Sequence, residues 1–425
     1  MGSTAVNNLP DEILQDIFIR LSGKDILNIR RVCCRWQSVV DNFTEKFWKR
    51  LCSRDYASIY EDGYRVSGLN WRELYNSFSL WENVADAEVG VSLEPVGELH
   101  EIHVLKNSVI SFPKACKADQ KPEYYDTIVY YDVKTRNEIN RITYDEGFYK
   151  YEENDDIIVF EIEEDTKIRV VPKVKEDKYV NLIVKPHRHW LLLGNEIFYQ
   201  TENDVRTTTT FCRMRVIIDD KDVRYENSEL AKGNWDLWDN LDVKYVGDKT
   251  YVFEGYEEFG DVYIADIENE CRIVCGLQHL DTSGILETIK KYGFSWSNPK
   301  IFFWLTCCFS RNWEKTTFCI GSELLASPLT YSSHIFTGTR QPKAVPGIVH
   351  IFLNASNNLK LHELEPTLSI NIDDSVPENI VHCRRYPNDN YLNQLEVIET
   401  VNGHKLLLVY CQRLIIIDIT HKDYK

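Results

Sequence analysis

Residues 9–21 read LPDEILQDIFIRL and residues 32–36 read VCCRW, and these two stretches decide how the N-terminal part of the chain folds. In the first stretch the apolar residues at positions 13, 14, 17, 18 and 21 have the spacing of one face of a helix. Pro10 suits a first helical turn, where its missing N–H is not needed, and Asp11 and Glu12 suit the positive end of the helix dipole. The sequence therefore predicts a helix over residues 9–21.

Three more short helices follow with short connections. The apolar spacing predicts them over residues 24–31, residues 32–41 and residues 45–54, and Thr44 is the expected cap of the last one. A unit this small cannot bury every large side chain inside itself. We therefore expect some apolar surface to remain open to a partner.

The spacing of these residues resembles the F-box family. The matching residues are Leu9-Pro10, Glu12-Ile13-Leu14, Ile17-Phe18, Leu21, Leu27, Val32-Cys33, Trp36 and Trp48. The resemblance implies binding to a Skp-type adaptor, which in turn holds a cullin and a RING protein. It assigns adaptor contacts, or direct support of them, to Leu9, Pro10, Ile13, Leu14, Ile17, Val32, Cys33 and Trp36. The alternative is that most of these residues form only the core of the helical unit.

A further helix is predicted over residues 70–83, where Leu74, Phe78 and Trp81 recur at spacings of four and three. It resembles the helix that follows the box in many F-box proteins and joins it to the next domain. The sequence therefore divides into an F-box helical domain at residues 1–54, a helical linker at residues 55–83 and a β domain at residues 84–425.

The β domain shows short β-branched and aromatic runs separated by polar turns, which is typical of an all-β fold. Three apolar runs each end in an Asp that Val or Ile follows, at Asp132, Asp266 and Asp418. The intervals between these residues are 134 and 152, and each fits three propeller blades of about 45 to 50 residues. A seven-bladed β-propeller fits the length of this region. Between the three runs further strands are predicted, among them one over residues 190–200 and one over residues 300–305. The Gly-His…Trp-Asp and Gly-Gly signatures of known repeats do not occur, so a two-sheet sandwich or a pair of smaller β domains remains an alternative.

Charge is distributed unevenly along the chain, whose net charge is −17. Residues 1–80 hold 11 Lys/Arg against 10 Asp/Glu, which leaves 38 against 56, or −18, for residues 81–425. An acidic β region repels nucleic acid and anionic lipid, so a protein is the expected partner. The N-terminus lacks the pattern of a secretory signal, and no apolar run is long enough for a membrane span. We expect a soluble chain, cytoplasmic and/or nuclear, with reduced cysteines.

Local catalytic motifs are missing from the sequence, including the Gly-rich phosphate loop, the Gly-x-Ser-x-Gly elbow and His-Glu-x-x-His. His187 and His189 would face one side of a strand as a metal pair, but a polar turn is the favoured interpretation. Arg340, Arg384 and Arg385 could read a phosphorylated segment, although isolated surface arginines need no such role. No catalytic residue, cofactor or metal is expected.

The sequence thus favours a substrate-recognition subunit of an SCF (Skp–cullin–F-box) ubiquitin ligase, in which the β domain binds a target for ubiquitination and proteasomal degradation. The β domain would hold the target near activated ubiquitin, so the chain itself would be no enzyme. The alternative is a scaffold that binds the adaptor outside ubiquitination. An enzyme with its active site in a propeller channel is the least favoured hypothesis.

Overall fold

The computed structural model describes a large part of the chain. The described residues are 9–56, 59–97, 99, 101–114, 124–163, 167–174, 176–184, 190–202, 209–219, 222–233, 241–246, 249–255, 262–266, 272–277, 319–320, 323–324, 329–331, 334–338, 348–352, 366–372, 392–410 and 413–422. None of the described helices is long and apolar enough to cross a membrane.

The described part of the N-terminal region is helical. Its helices are α1 (Asp11–Phe18), α2 (Gly23–Ile29), α3 (Cys34–Asp41), α4 (Glu45–Asp55), α5 (Tyr60–Ser67) and α6 (Trp71–Leu80), and α6 continues into a 3-10 turn (Trp81–Asp86). The four predicted F-box helices are confirmed as α1 to α4, with ends that differ by up to a few residues. Thr44 caps α4 as predicted, because its Oγ1 accepts from the N–H of Phe47 at 3.4 Å.

Large apolar side chains hold α1 to α4 together. Leu14, Phe18, Ile26, Trp48 and Leu51 are buried in one cluster. Fully burying an aliphatic or aromatic side chain of this kind contributes roughly 1.5–3 kcal/mol. This cluster, rather than the intrinsic stability of such short helices, maintains the domain.

After the 3-10 turn, the described residues form β-strands with short connections, two of which contain 3-10 turns (Lys106–Ser108 and Glu176–Lys178). The strands are β1 (Glu88–Leu93), β2 (His103–Val104), β3 (Val109–Lys114), β4 (Tyr125–Asp132), β5 (Asn137–Phe148), β6 (Lys150–Glu153), β7 (Ile157–Glu163), β8 (Lys167–Pro172), β9 (Val180–Ile183), β10 (Leu191–Leu193), β11 (Glu196–Glu202), β12 (Thr209–Ile218), β13 (Val223–Gly233), β14 (Leu241–Val246), β15 (Lys249–Gly255), β16 (Val262–Asp266), β17 (Arg272–Leu277), β18 (Cys319–Ile320), β19 (Glu323–Leu324), β20 (Leu329–Tyr331), β21 (His334–Gly338), β22 (Ile348–Phe352), β23 (Leu368–Asn371), β24 (Leu392–Thr400), β25 (Gly403–Tyr410) and β26 (Arg413–Thr420).

These strands form several antiparallel sheets, in which neighbours in sequence pair with each other. Five four-stranded sheets run β2 to β5, β6 to β9, β10 to β13, β14 to β17 and β20 to β23, and β18 pairs with β19. A further sheet has the order β24, β25, β26, β1, so the first strand of the region completes the sheet made by the last three. The chain therefore has a small helical N-terminal part followed by a large all-β region of several sheets.

Successive sheets pack on both of their faces. In β26, Ile415, Ile417 and Ile419 belong to one core cluster, while Leu414 and Ile416 belong to another. Because side chains alternate along a strand, the two sets point to opposite faces of the sheet, and both faces are covered. This explains why residues 413–420 contain the nearly continuous apolar run RLIIIDIT.

One sequence prediction needs correction here. Residues 190–200 were expected to form one strand, but the chain turns at Gly194, whose φ is +55°, and forms β10 and β11 as a hairpin. Helix α5 lies inside the predicted helical linker of residues 55–83, although no separate helix was specified there. The strand expected over residues 300–305 lies outside the described residues.

Candidate adaptor-binding surface

Helix α1 carries apolar side chains on two different faces. Leu14 and Phe18 are buried in the helical core. Ile13 and Ile17, each one position earlier, are 44% and 43% exposed. Since residues four apart lie on the same side of a helix, Ile13 and Ile17 form one exposed apolar stripe.

The start of α3 lies beside the start of α1. The guanidinium of Arg35 donates to the Leu9 carbonyl and, at 2.7 Å, to Oδ1 of Asp11. At the other end of α1, the ring of Phe18 packs edge to face against the ring of Trp36, with centroids 5.3 Å apart. These contacts fix the start of α3 against α1.

The structure places the eight sequence-predicted residues in three environments. The exposed residues are Pro10, Ile13, Ile17, Val32 and Cys33. Leu9 and Trp36 are half-buried and pack against the helical core, and Leu14 is fully buried. Val32 is the most exposed of the apolar ones, at 61%. The exposed members can touch a partner directly, whereas Leu14 can act only by supporting the helix. Their role in adaptor binding stays a prediction.

Two residues near this surface were missed by the sequence reasoning. Ile19 follows α1 and is 37% exposed. Arg35 braces the two helices through Leu9 and Asp11. Ile19 could have been found from the sequence, because it is an apolar residue directly after Ile17-Phe18. Arg35 could not, because its partner Asp11 lies 24 residues away in the sequence.

Helix α6 joins this domain to the β region through a buried polar cluster. The carboxylate of Glu399, at the end of β24, accepts from Trp81 Nε1 at 3.0 Å and from the hydroxyl of Ser77, and its Oε2 lies 2.8 Å from His404 Nδ1. The rings of Trp81 and His404 stack with centroids 3.6 Å apart. The Ser77 hydroxyl also lies 3.0 Å from the Gly403 carbonyl oxygen, which shares its single proton with Glu399. We call Ser77, Trp81, Glu399 and His404 the joint cluster.

Electrostatics favour the ionised form of Glu399. Burial by itself raises the pKa of a carboxyl group, but His404 together with the donors Ser77 and Trp81 outweighs that effect and holds the pKa of Glu399 below its ordinary value. Glu399 is thus a buried carboxylate that is hydrogen-bonded to three side chains.

A second set of contacts fixes α5 to the same region. Arg65 Nη1 donates to Oδ2 of Asp155 at 2.8 Å, and Lys134 Nζ donates to the Ser67 carbonyl at 2.8 Å. Gly68 ends α5 with φ +65°, and a Cβ there would lie 2.6 Å from Oδ1 of Asn107. With the joint cluster, these contacts attach the helical part to the β region at several separate points.

The structure does not test the other candidate site residues from the sequence, the histidine pair for a metal and the arginines for a phosphorylated segment. His187 and His189, and Arg340, Arg384 and Arg385, lie outside the described residues. Within the described ranges, no group of three or more His, Cys, Asp or Glu is arranged to hold a metal ion.

The helical domain is small, carries an exposed apolar stripe and is attached to a larger β region. Exposed apolar patches are typical of surfaces that bind a partner. Residues 6–54 match the F-box-like family. The chain is also 32% identical over 85 residues to F-box only protein 6 from Bos taurus, which covers 20% of this chain and 31% of that relative. It therefore carries an N-terminal F-box-like domain. The match spans about a third of the relative's length.

Two solved structures resemble the chain at low scores. Sqt1 from Saccharomyces cerevisiae has a TM-score of 0.40 and 6% identity, covering 79% of this chain and 98% of that one. Hsv2 from Kluyveromyces lactis has a TM-score of 0.33 and 10% identity, covering 74% of this chain and 78% of that one. Likenesses at this level carry no structural conclusion.

Proposed function

We propose that this chain is the substrate-recognition subunit of an SCF-type ubiquitin ligase. F-box domains typically bind Skp-type adaptors. The observation that carries the proposal is the exposed stripe of Ile13 and Ile17, with Val32 nearby, on the domain that matches the F-box-like family. Exposed aliphatic side chains of this kind release water when a partner covers them, which favours docking.

The adaptor would connect the chain to a cullin and a RING protein, and the β region would bind a target protein. The function is one of proximity, since the chain holds a target lysine near activated ubiquitin and leaves the chemistry to other subunits. The target would then pass to the proteasome, in the cytoplasm, the nucleus or both.

The attachment between the two parts supports this proposal. A receptor must hold its target at a set distance from the ubiquitin donor, and a flexible connection would spread that distance over many values. Here Ser77 and Trp81 on one side meet Glu399 and His404 on the other through buried hydrogen bonds. Arg65 and Asp155 add an ion pair at a separate point.

We further propose that the sheets close into a seven-bladed β-propeller. Support comes from the six four-stranded sheets and the pair β18–β19 among the described residues, and from β1 completing the sheet of β24 to β26. The three strands that end alike at Asp132, Asp266 and Asp418 are β4, β16 and β26, and each is the third strand of its sheet. An electron cryomicroscopy map of the chain bound to its adaptor tests the blade number directly, and an open stack of sheets would refute it.

Co-purification tests the proposed function. Tagged full-length chain should recover a Skp-type adaptor and a cullin, and Ile13→Asp should lose both. Ile139→Asp is the matched control, because Ile139 is 54% exposed on β5, outside the helical domain. Recovery of the adaptor without a cullin would point to a scaffold outside ubiquitination. Equal recovery with both variants would refute the docking surface.

A further inference from the structure

An arginine lies where the exposed stripe of α1 ends. The chain tightens there into a 3-10 turn, in which the N–H of Arg20 donates to the Ile17 carbonyl, three residues back, at 3.1 Å. Side chains three residues apart eclipse each other in such a turn, so Arg20 continues the side of α1 that carries Ile17. Arg20 is exposed, as Ile17 is. The apolar stripe therefore ends at a positive charge.

Helix α4 brings two more arginines to the same place. Nη1 of Arg54 donates to the carbonyl of Leu21, the residue after Arg20, at 3.3 Å. Arg50 lies four residues before Arg54 on α4, so the two side chains lie on one side of that helix. Both are exposed. We call Arg20, Arg50 and Arg54, which lie around the C-terminal end of α1, the arginine end.

Of the arginine end, only Arg54 has a carboxylate partner among the described residues. Its Nε and Nη2 donate to the two oxygens of Asp55, at 2.6 and 2.9 Å, and Asp55 also accepts from the hydroxyl of Tyr75 at 2.8 Å. Arg20 and Arg50 form no ion pair with any residue that the structure describes. The arginine end therefore carries two positive charges that the described part of the chain does not neutralise.

Arginines elsewhere in the helical domain are paired, although they are also at the surface. At the start of the stripe, Arg35 pairs with Asp11 at 2.7 Å. Arg30, at the end of α2, pairs with Asp41 at 2.8 Å. The unpaired charge of the arginine end is therefore a local feature and not a general property of this domain.

Two exposed carboxylates of α1, Glu12 and Asp16, lie beside the stripe. Each precedes an isoleucine of the stripe by one residue, which turns its side chain about 100° away around the helix. A partner that lies along Ile13 and Ile17 therefore meets the arginine end in line with the apolar contact, and meets these carboxylates only at its flank.

We infer that the arginine end binds acidic side chains of the adaptor and so sets the direction in which the adaptor lies along α1. This rests on the proposed function, and it deepens it by assigning the charge of the partner surface and its orientation. Charges at the rim of an apolar contact steer a complementary partner toward it. A guanidinium can also hold a carboxylate through two nitrogens, as Arg54 holds Asp55.

Stopped-flow association with a purified Skp-type adaptor tests this inference on the full-length chain. The variants are Arg20→Glu and Arg50→Glu, with Arg20→Lys as the substitution that conserves charge. Lys178→Glu is the matched control, because it changes the net charge of the chain equally at an exposed position of the β region. Rates are measured at ionic strengths of about 0.1 M and about 1 M, where charges act over roughly 10 Å and roughly 3 Å.

The inference expects Arg20→Glu and Arg50→Glu each to slow association about fivefold at the lower ionic strength, and to differ little from the wild type at the higher one. Arg20→Lys and Lys178→Glu should associate like the wild type at both. Wild-type association itself should slow as the ionic strength rises, because salt screens the attraction.

Wild-type rates for both glutamate variants, faster association of either, or equal slowing by Lys178→Glu would overturn the inference. So would slowing that is equal at both ionic strengths, since that would mark a loss of shape and not of charge. Ile13→Asp is measured on the same preparation. If it abolishes binding while the arginine variants behave like the wild type, this inference alone fails, whereas a wild type that does not bind the adaptor would refute the proposed function.

Discussion

Replacing Glu399 by alanine should destabilise the attachment between the helical part and the β region more than any exposed substitution. The change removes the carboxylate from a buried site. Trp81 Nε1 and His404 Nδ1 each lie about 3 Å from this carboxylate, and the Ser77 hydroxyl donates to it. The Ser77 hydroxyl keeps the Gly403 carbonyl as an acceptor, so the loss falls on the Trp81 and His404 rings. Each buried polar group that loses its partner costs about 1–3 kcal/mol, or about 2–6 kcal/mol for the two. We take about 4 kcal/mol as the expected loss.

Differential scanning calorimetry measures this loss. With an unfolding entropy of about 2.1 cal/mol/K per residue over the roughly 340 residues of the β region, about 4 kcal/mol corresponds to a fall of roughly 5–6 °C in Tm. The control is Glu138→Ala, which removes an exposed carboxylate paired with Arg141 and should cost less than about 0.5 kcal/mol. Equal Tm values for the two variants would refute the account of the joint cluster.

The remaining predictions concern the same attachment and the side chain of His103. Gly68→Ala should cost about 1 kcal/mol or more in urea unfolding, because a Cβ at φ +65° is strained and would meet Asn107; an unchanged midpoint would contradict this. Arg65→Gln should increase amide hydrogen exchange around Asp155 and leave the exchange of β12 unchanged, and equal protection in wild type and variant would contradict the ion pair's role. Burial lowers the pKa of His103 to about 4 from its ordinary 6.5. Between these two values the unfolded chain binds a proton at His103 and the folded chain does not. The stability of the folded chain is therefore full above pH 6.5 and falls as the pH is lowered toward 4, by on the order of 3 kcal/mol. His103→Asn should remove that loss, and an unchanged pH profile of unfolding would contradict the reasoning.

The sequence predicted the local features of this chain well. Thr44 caps α4 as predicted. Asn70 caps α6 with a capping box completed by Glu73, a signal within three residues that was present in the sequence but was not used. Helix α5 was not specified within the predicted helical linker, because its short sequence, YEDGYRVS, has one aliphatic residue, Val66, and contains Gly63. A Cβ at Gly63 would lie 2.8 Å from the ring of Phe78, so the glycine permits close packing against α6. Tertiary contact, rather than local preference, maintains this helix.

The candidate site was predicted in its residues but not in its geometry. The sequence placed Ile13, Leu14 and Ile17 on one helix, yet only packing decides that Leu14 is covered while the two isoleucines stay exposed. The joint cluster left no signal at all, since Trp81 and Glu399 are 318 residues apart. Contacts this distant in sequence depend on the assembled sheets, which no local pattern encodes.

The affinity of full-length chain for a purified Skp-type adaptor tests the central claim most directly. Isothermal titration calorimetry compares the wild type with Ile13→Asp, Ile17→Asp and the control Ile139→Asp, each of which places a charge at an exposed apolar position. The account predicts that the first two raise Kd at least about 30-fold, the effect of losing a central interface residue worth roughly 2 kcal/mol, and that the control leaves Kd unchanged. Tight adaptor binding by both helical variants would contradict it.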